Sequence, residues 1–116
     1  MKIFEPILIS DDEVISALGL KTQLMQMGYS DVHISGSYSK GITLYNELHP
    51  ETLIVDINLH GTKTGIDFLK ETGGAKIVVI QSGYGNVLEQ YDLDDINVNL
   101  YLEKPFREYL ISLELL

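Results

Sequence analysis

The chain has no cysteine, only three prolines, and eight lysines and arginines against seventeen aspartates and glutamates. Without cysteine there is neither a disulfide framework nor a thiolate-ligated zinc site. Nothing points to secretion, and a reducing cytoplasm is the expected location. A formal charge of −9 argues against direct nucleic-acid binding, which rests on clustered cations that this chain lacks. Long hydrophobic runs are missing as well. The apolar stretch near the N-terminus is too short for a signal-peptide core, and no segment reaches bilayer-spanning length, so no membrane partner is expected. Internal repeats and low-complexity segments are also lacking.

What is present is enough for one domain: 116 residues, 45% of them hydrophobic, fill a single core, and residues 1–116 read as one unit. Short apolar runs recur at 7–9, 32–34, 53–55, 77–80 and 100–102. They are continuous rather than alternating, the pattern of strands covered on both faces.

Segments with helical spacing lie between them. The first, 12–27, carries Ala17, Leu20, Leu24 and Met27 on one face, contains Gly19, and stops at Gly28. The second spans 38–48 and ends at His49-Pro50; a third begins near Gly65, with Ile66, Phe68 and Leu69, and breaks at Gly73-Gly74. A short helix capped by Asn86 is expected over 87–91, then an acidic loop, and a last helix over 106–116. That last helix ends while still apolar, which reads as a helix continuing in a longer natural protein. Strand and helix alternating in this way predict a parallel sheet with right-handed crossovers, an α/β/α sandwich of three layers.

Three stretches place polar chemistry directly after an apolar run: Ile7-Leu8-Ile9-Ser10-Asp11-Asp12, Leu53-Ile54-Val55-Asp56 and Tyr101-Leu102-Glu103-Lys104-Pro105. If the strands are parallel neighbours, their carboxyl ends share one edge, where open α/β sheets put ligand sites. Three carboxylates and one ammonium would then meet in a shallow cleft. Such a group suits a divalent cation and a phosphoryl group better than it suits a core. Each residue alone has an ordinary alternative. An aspartate at a helix start is a common N-cap, lysine is usually exposed, and a trans turn is the usual state of an X-Pro bond. The three histidines, His33, His49 and His60, are scattered without metal-ligand spacing, and Gly83-Tyr84-Gly85 follows the fourth strand without the third glycine of a nucleotide fingerprint.

Asp11-Asp12, Asp56, Ser82 after Val78-Val79-Ile80-Gln81, and Lys104-Pro105, in that order, resemble the receiver domain of two-component response regulators over essentially the whole chain. The resemblance implies a flavodoxin-like receiver fold, a five-stranded parallel sheet in the order 2-1-3-4-5. It implies a signalling domain rather than an enzyme, with at most slow autodephosphorylation. The partner would be a sensor histidine kinase or phosphotransfer protein, and the downstream target or output domain is unspecified. By the same resemblance Asp56 is the phosphoacceptor. Magnesium, with manganese as a substitute, is held by Asp12, Asp56 and the backbone carbonyl of Asn58, with Asp11 acting through water. Lys104 pairs with Asp56 at rest and with a phosphoryl oxygen afterwards, and the Lys104-Pro105 bond is cis. Ser82 is the hydroxyl of the switch, Gly83 leaves room beside it, and Tyr101 is the aromatic partner.

Taken without the resemblance, Ser82 also reads as a loop serine and Tyr101 as a half-buried strand tyrosine. The stretch from Asn58 to Gly65 follows the glycine-type variant of its loop, without a proline after Asp56, and Asp94-Asp95-Ile96-Asn97-Val98-Asn99 replaces the usual Gly-Ala before the last strand. Other functions fit less well. A magnesium-dependent phosphatase with an aspartate nucleophile would want a carboxylate where Asn58 stands, and a flavin binder would not place Asp11-Asp12 where a phosphate must sit. A receiver used only as a phosphorylation-independent interaction module is the remaining alternative.

Overall fold

The computed structural model describes residues 2–59, 61–83 and 96–103. Among these the chain runs β1 (Ile7–Ser10), α1 (Val14–Gln26), β2 (Val32–Ser35), α2 (Tyr38–Leu48), β3 (Thr52–Asp56), α3 (Gly65–Thr72), β4 (Ile77–Ser82) and β5 (Leu100–Glu103). All four strand pairings are parallel and give one sheet in the order β2-β1-β3-β4-β5. This is the order implied by the resemblance. The expected helices at 87–91 and 106–116 lie outside the described residues.

The sheet is apolar on both faces because each face meets helices. Ile7, Ile9, Ile54 and Val79 pack with Ala17, Leu20 and Leu24 of α1. Leu8, Leu53, Val55, Val78 and Ile80 face the other way, against Ile66, Phe68 and Leu69 of α3, with Tyr38, Ile42 and Tyr45 of α2 closing that layer. Phe68 anchors it: Tyr38 and Tyr45 meet its ring edge-on, with centroids 5.8 and 6.5 Å away.

Strand ends run past the apolar runs that mark them in the sequence. Ser10, Ser35, Asp56, Gln81, Ser82 and Glu103 all belong to strands, since the ladder needs only their backbone groups. The first helix starts two residues later than expected. The Asp11 side chain accepts the Glu13 N–H at 2.9 Å, which folds 11–13 into a turn, and Glu13, in extended conformation, becomes the N-cap. The second helix keeps its expected bounds, with the Ser37 hydroxyl accepting the Lys40 N–H. In α3, Thr64 and Asp67 form a reciprocal capping box, and Gly73, at φ 84°, ends the helix in the left-handed conformation that glycine adopts without strain.

Gly19 sits inside α1, and among the described residues nothing lies within 4 Å of where a β-carbon would stand. The position has room and a helical backbone, so Gly19→Ala is expected to stabilise the protein by about 1 kcal/mol. In a thermal melt this would appear as a rise of roughly 4 °C in the midpoint.

Candidate functional site

The carboxyl ends of β1 and β3 converge because these strands are direct neighbours, with Ser10 paired to Val55. Asp11 continues β1 by one residue, its N–H donating to the Ser35 carbonyl at 3.0 Å, and Asp56 closes β3. Both are buried, at 1% and 3% exposure, and Asp12 beside them is half-buried. One carboxylate oxygen from each of Asp11, Asp12 and Asp56 can be chosen so that all three lie within 4.8 Å of one another. Two like charges at that spacing repel by about 3 kcal/mol at an effective dielectric constant near 20.

This geometry fits a hard divalent cation. The donors are all oxygens with no nitrogen or sulfur among them, which suits magnesium or manganese rather than zinc. The carboxylates are also pre-oriented by their own loops: Asp11 Oδ1 accepts the Glu13 N–H at 2.9 Å and Asp56 Oδ1 accepts the Asn58 N–H at 3.0 Å. Each side chain is thereby fixed by the backbone two residues downstream. Asn58 itself is exposed on the rim.

Ser82 ends β4 one strand away and is buried, while among the described residues nothing lies within 4 Å of where a β-carbon on Gly83 would stand. Tyr101, opposite Ile80 in the ladder, is 48% exposed and lies on the side of the sheet that carries Ser82. The structure thus brings Asp11, Asp12 and Asp56 together, puts Ser82 and Gly83 at the same edge, and leaves Tyr101 on the flank. Lys104, Pro105 and His60 lie outside the described residues.

Two contributors escaped the reading of the sequence. Gly65 opens α3 directly over β3: a β-carbon there would stand 2.3 Å from the Asp56 carbonyl oxygen and 2.7 Å from Val55 Cγ1, and the Gly65 N–H donates to the Ile57 carbonyl at 2.8 Å. The second is a polar clasp on the β3–α3 loop. The Tyr38 hydroxyl donates to Glu71 Oε1 at 2.8 Å, Lys63 Nζ reaches the same oxygen at 3.4 Å, and that ammonium stands 4.8 Å from the Tyr38 ring centroid. Burial and the bond to Glu71 push the Tyr38 hydroxyl up to about 12, and the same bond holds Glu71 below its ordinary value. The clasp ties the loop after Asp56 to the start of α2.

Comparison with known proteins agrees with this architecture. A family model for the response regulator receiver domain matches residues 7–114. A response regulator receiver domain protein (CheY-like) from Methanospirillum hungatei superposes with a TM-score of 0.78 at 20% identity, over 93% of this chain and 87% of that one. The receiver domain of NtrX from Brucella abortus gives 0.74 at 27% identity, over 93% and 92%. The chemotaxis protein CheY4 from Vibrio cholerae gives 0.76 at 18%, over 93% and 94%. This chain covers only 25% of a longer solved NtrX chain from Brucella abortus. Comparison with curated protein sequences gives no match.

Proposed function

The chain belongs to the response regulator receiver domain family, and on that basis we propose that Asp56 accepts a phosphoryl group from a phosphohistidine. One observation supports this above all others: three carboxylates from two neighbouring strand ends converge within 4.8 Å at the carboxyl edge of the sheet. The family is a signalling one, so the phosphorylated state is the output rather than a metabolic product.

A carboxylate oxygen of Asp56 attacks phosphorus in line with the bond to the histidine nitrogen. That P–N bond breaks, its electron pair returns to the imidazole, and an aspartyl phosphate remains. Asp12, Asp56 and the Asn58 carbonyl would hold magnesium, with Asp11 acting through water, and the ion would supply positive charge to offset that of the carboxylates and the phosphoryl group. The turn that binds Asp56 Oδ1 to the Asn58 N–H orients the nucleophile before the donor arrives. Ser82 donates its hydroxyl hydrogen to a phosphoryl oxygen, Gly83 leaves space beside it, and Lys104 supplies a positive charge to the same group. Tyr101 follows the movement of Ser82 and carries the change to the outer surface.

A sensor histidine kinase or phosphotransfer protein is the expected donor, in the cytoplasm. Val14, Ile15 and Leu18 of α1 are exposed apolar residues beside Asp11 and Asp12, Ile15 at 89% exposure, and offer the donor an apolar contact at the mouth of the site. Residues 1–116 act as one receiver domain, with hydrolysis of the aspartyl phosphate as a slow timer. As NtrX places a matching segment within a longer protein, an output domain on the same polypeptide is consistent with this role.

Incubation with magnesium and acetyl phosphate, followed by intact-mass measurement, tests the proposal. We expect the mass of one phosphoryl group to be gained, and the gain to be lost when EDTA removes the metal. Folded, magnesium-supplied protein that gains no mass would overturn the reading.

A further inference from the structure

Gln81 is a buried polar side chain that the function above leaves unused. It follows the apolar run Val78-Val79-Ile80 and precedes Ser82 in β4, yet it is only 1% exposed and its amide nitrogen Nε2 finds no hydrogen-bond partner among the described residues. An orphaned amide donor at such a place loses its hydration and gains nothing in return, which an apolar side chain of equal length would avoid.

Its position gives the orphan a meaning. Gln81 is the ladder partner of Asp56, and the Ile57 N–H donates to the Gln81 carbonyl at 3.0 Å, which pins the two backbones in register. Paired residues of neighbouring strands project to the same face of a sheet. Ile54 and Val79, two residues earlier in each strand, belong to the core on the α1 side. Gln81 and Asp56 therefore stand side by side at the top of that face. Across β4 the neighbour of Gln81 is Leu102, an apolar side chain with no acceptor to offer.

We propose that Gln81 is a positioning residue whose spare amide hydrogen is donated to an oxygen of the phosphorylated Asp56 side chain. This rests on Asp56 being the phosphoacceptor. At rest the donor is buried unpaired. Phosphorylation brings negatively charged oxygens into the cleft next to it, and the donor acquires a charged acceptor. The interaction differs between the two states, and only such a difference can shift their balance. Gln81 thus penalises the resting form and favours the phosphorylated one, whereas a purely structural glutamine would contribute equally to both.

The test uses the whole chain with magnesium and beryllofluoride, a tetrahedral phosphoryl mimic that adds to a carboxylate without consuming a donor. Thermal midpoints are read with and without it, and its apparent affinity by titration. Gln81→Met is expected to raise the resting midpoint and to weaken beryllofluoride binding about tenfold, the range of one hydrogen bond to a charged group. Gln81→Leu should do the same if the amide is responsible rather than a particular fit of methionine. Unchanged beryllofluoride affinity in both variants, or a resting midpoint that falls in both, overturns the proposal. If the unsubstituted protein shows no response to beryllofluoride, the phosphoacceptor reading fails and the proposal with it; a response in it with none lost in the variants refutes Gln81 alone.

Discussion

Asp56→Asn is expected to take phosphoryl uptake from one group per chain to none. The amide keeps the size and planarity of the carboxylate, and its oxygen can still accept the Asn58 N–H that Asp56 Oδ1 accepts at 3.0 Å, so the turn after β3 should persist. What disappears is the nucleophile, because a neutral amide oxygen does not form a stable bond to phosphorus at neutral pH. One of the three negative charges held within 4.8 Å also disappears. Without divalent cation the variant should therefore be more stable than the parent, by roughly 1–2 kcal/mol, a fraction of the like-charge repulsion at that spacing. With magnesium present the advantage should shrink, since the ion stabilises the three-carboxylate site more than the two-carboxylate one. Intact mass after acetyl phosphate treatment, together with melts in EDTA and in magnesium, reads all three effects. Uptake retained by the asparagine variant would move the phosphoacceptor elsewhere.

Gly65→Ala should be the most damaging small substitution in the described structure. The new methyl would stand 2.3 Å from the Asp56 carbonyl oxygen and 2.7 Å from Val55 Cγ1. Neither can yield easily, because the first is backbone of the central strand and the second is a buried core atom. Relief requires α3 to move off β3, which would also lengthen the Gly65 N–H bond to the Ile57 carbonyl. Overpacking of this kind costs about 3 kcal/mol, a fall of about 10 °C or more in the thermal midpoint. Because the displaced carbonyl belongs to Asp56, phosphorylation should slow as well. Gly83→Ala is the control: among the described residues it meets nothing within 4 Å and should leave stability within about 0.5 kcal/mol. Equal melts for the two variants would show that α3 does not press on β3 as described.

The strands were readable because each lies between two helical layers, so that Leu53-Ile54-Val55 or Val78-Val79-Ile80 runs apolar without alternation. The convergence of Asp11, Asp12 and Asp56 was readable for a related reason. Parallel strands put their carboxyl ends on one edge, and all three residues follow an apolar run. The start of α1 was not legible, because it depends on which backbone N–H the Asp11 side chain takes. Gly65 and Gln81 were opaque for a deeper reason. The closeness of Gly65 to the Asp56 carbonyl and the placing of Gln81 beside Asp56 come from packing and register, and a sequence shows those only after its strands have been paired. The Tyr38–Glu71 clasp joins residues 33 positions apart and leaves no local pattern either.

The register of β3 has one more consequence. Side chains alternate along a strand, so a slip of one residue against β1 or β4 would swing Asp56 to the far face and bring Val55 or Ile57 to the cation site. A molecule in the wrong register would be inert rather than weakly active. With beryllofluoride, which is not lost by hydrolysis of an aspartyl phosphate, the share of a preparation that responds is then a headcount of correctly aligned chains. A batch that titrates to half its molarity with that mimic should hold equal numbers of fully competent and fully silent molecules, separable in principle, and not a uniform population working at half strength.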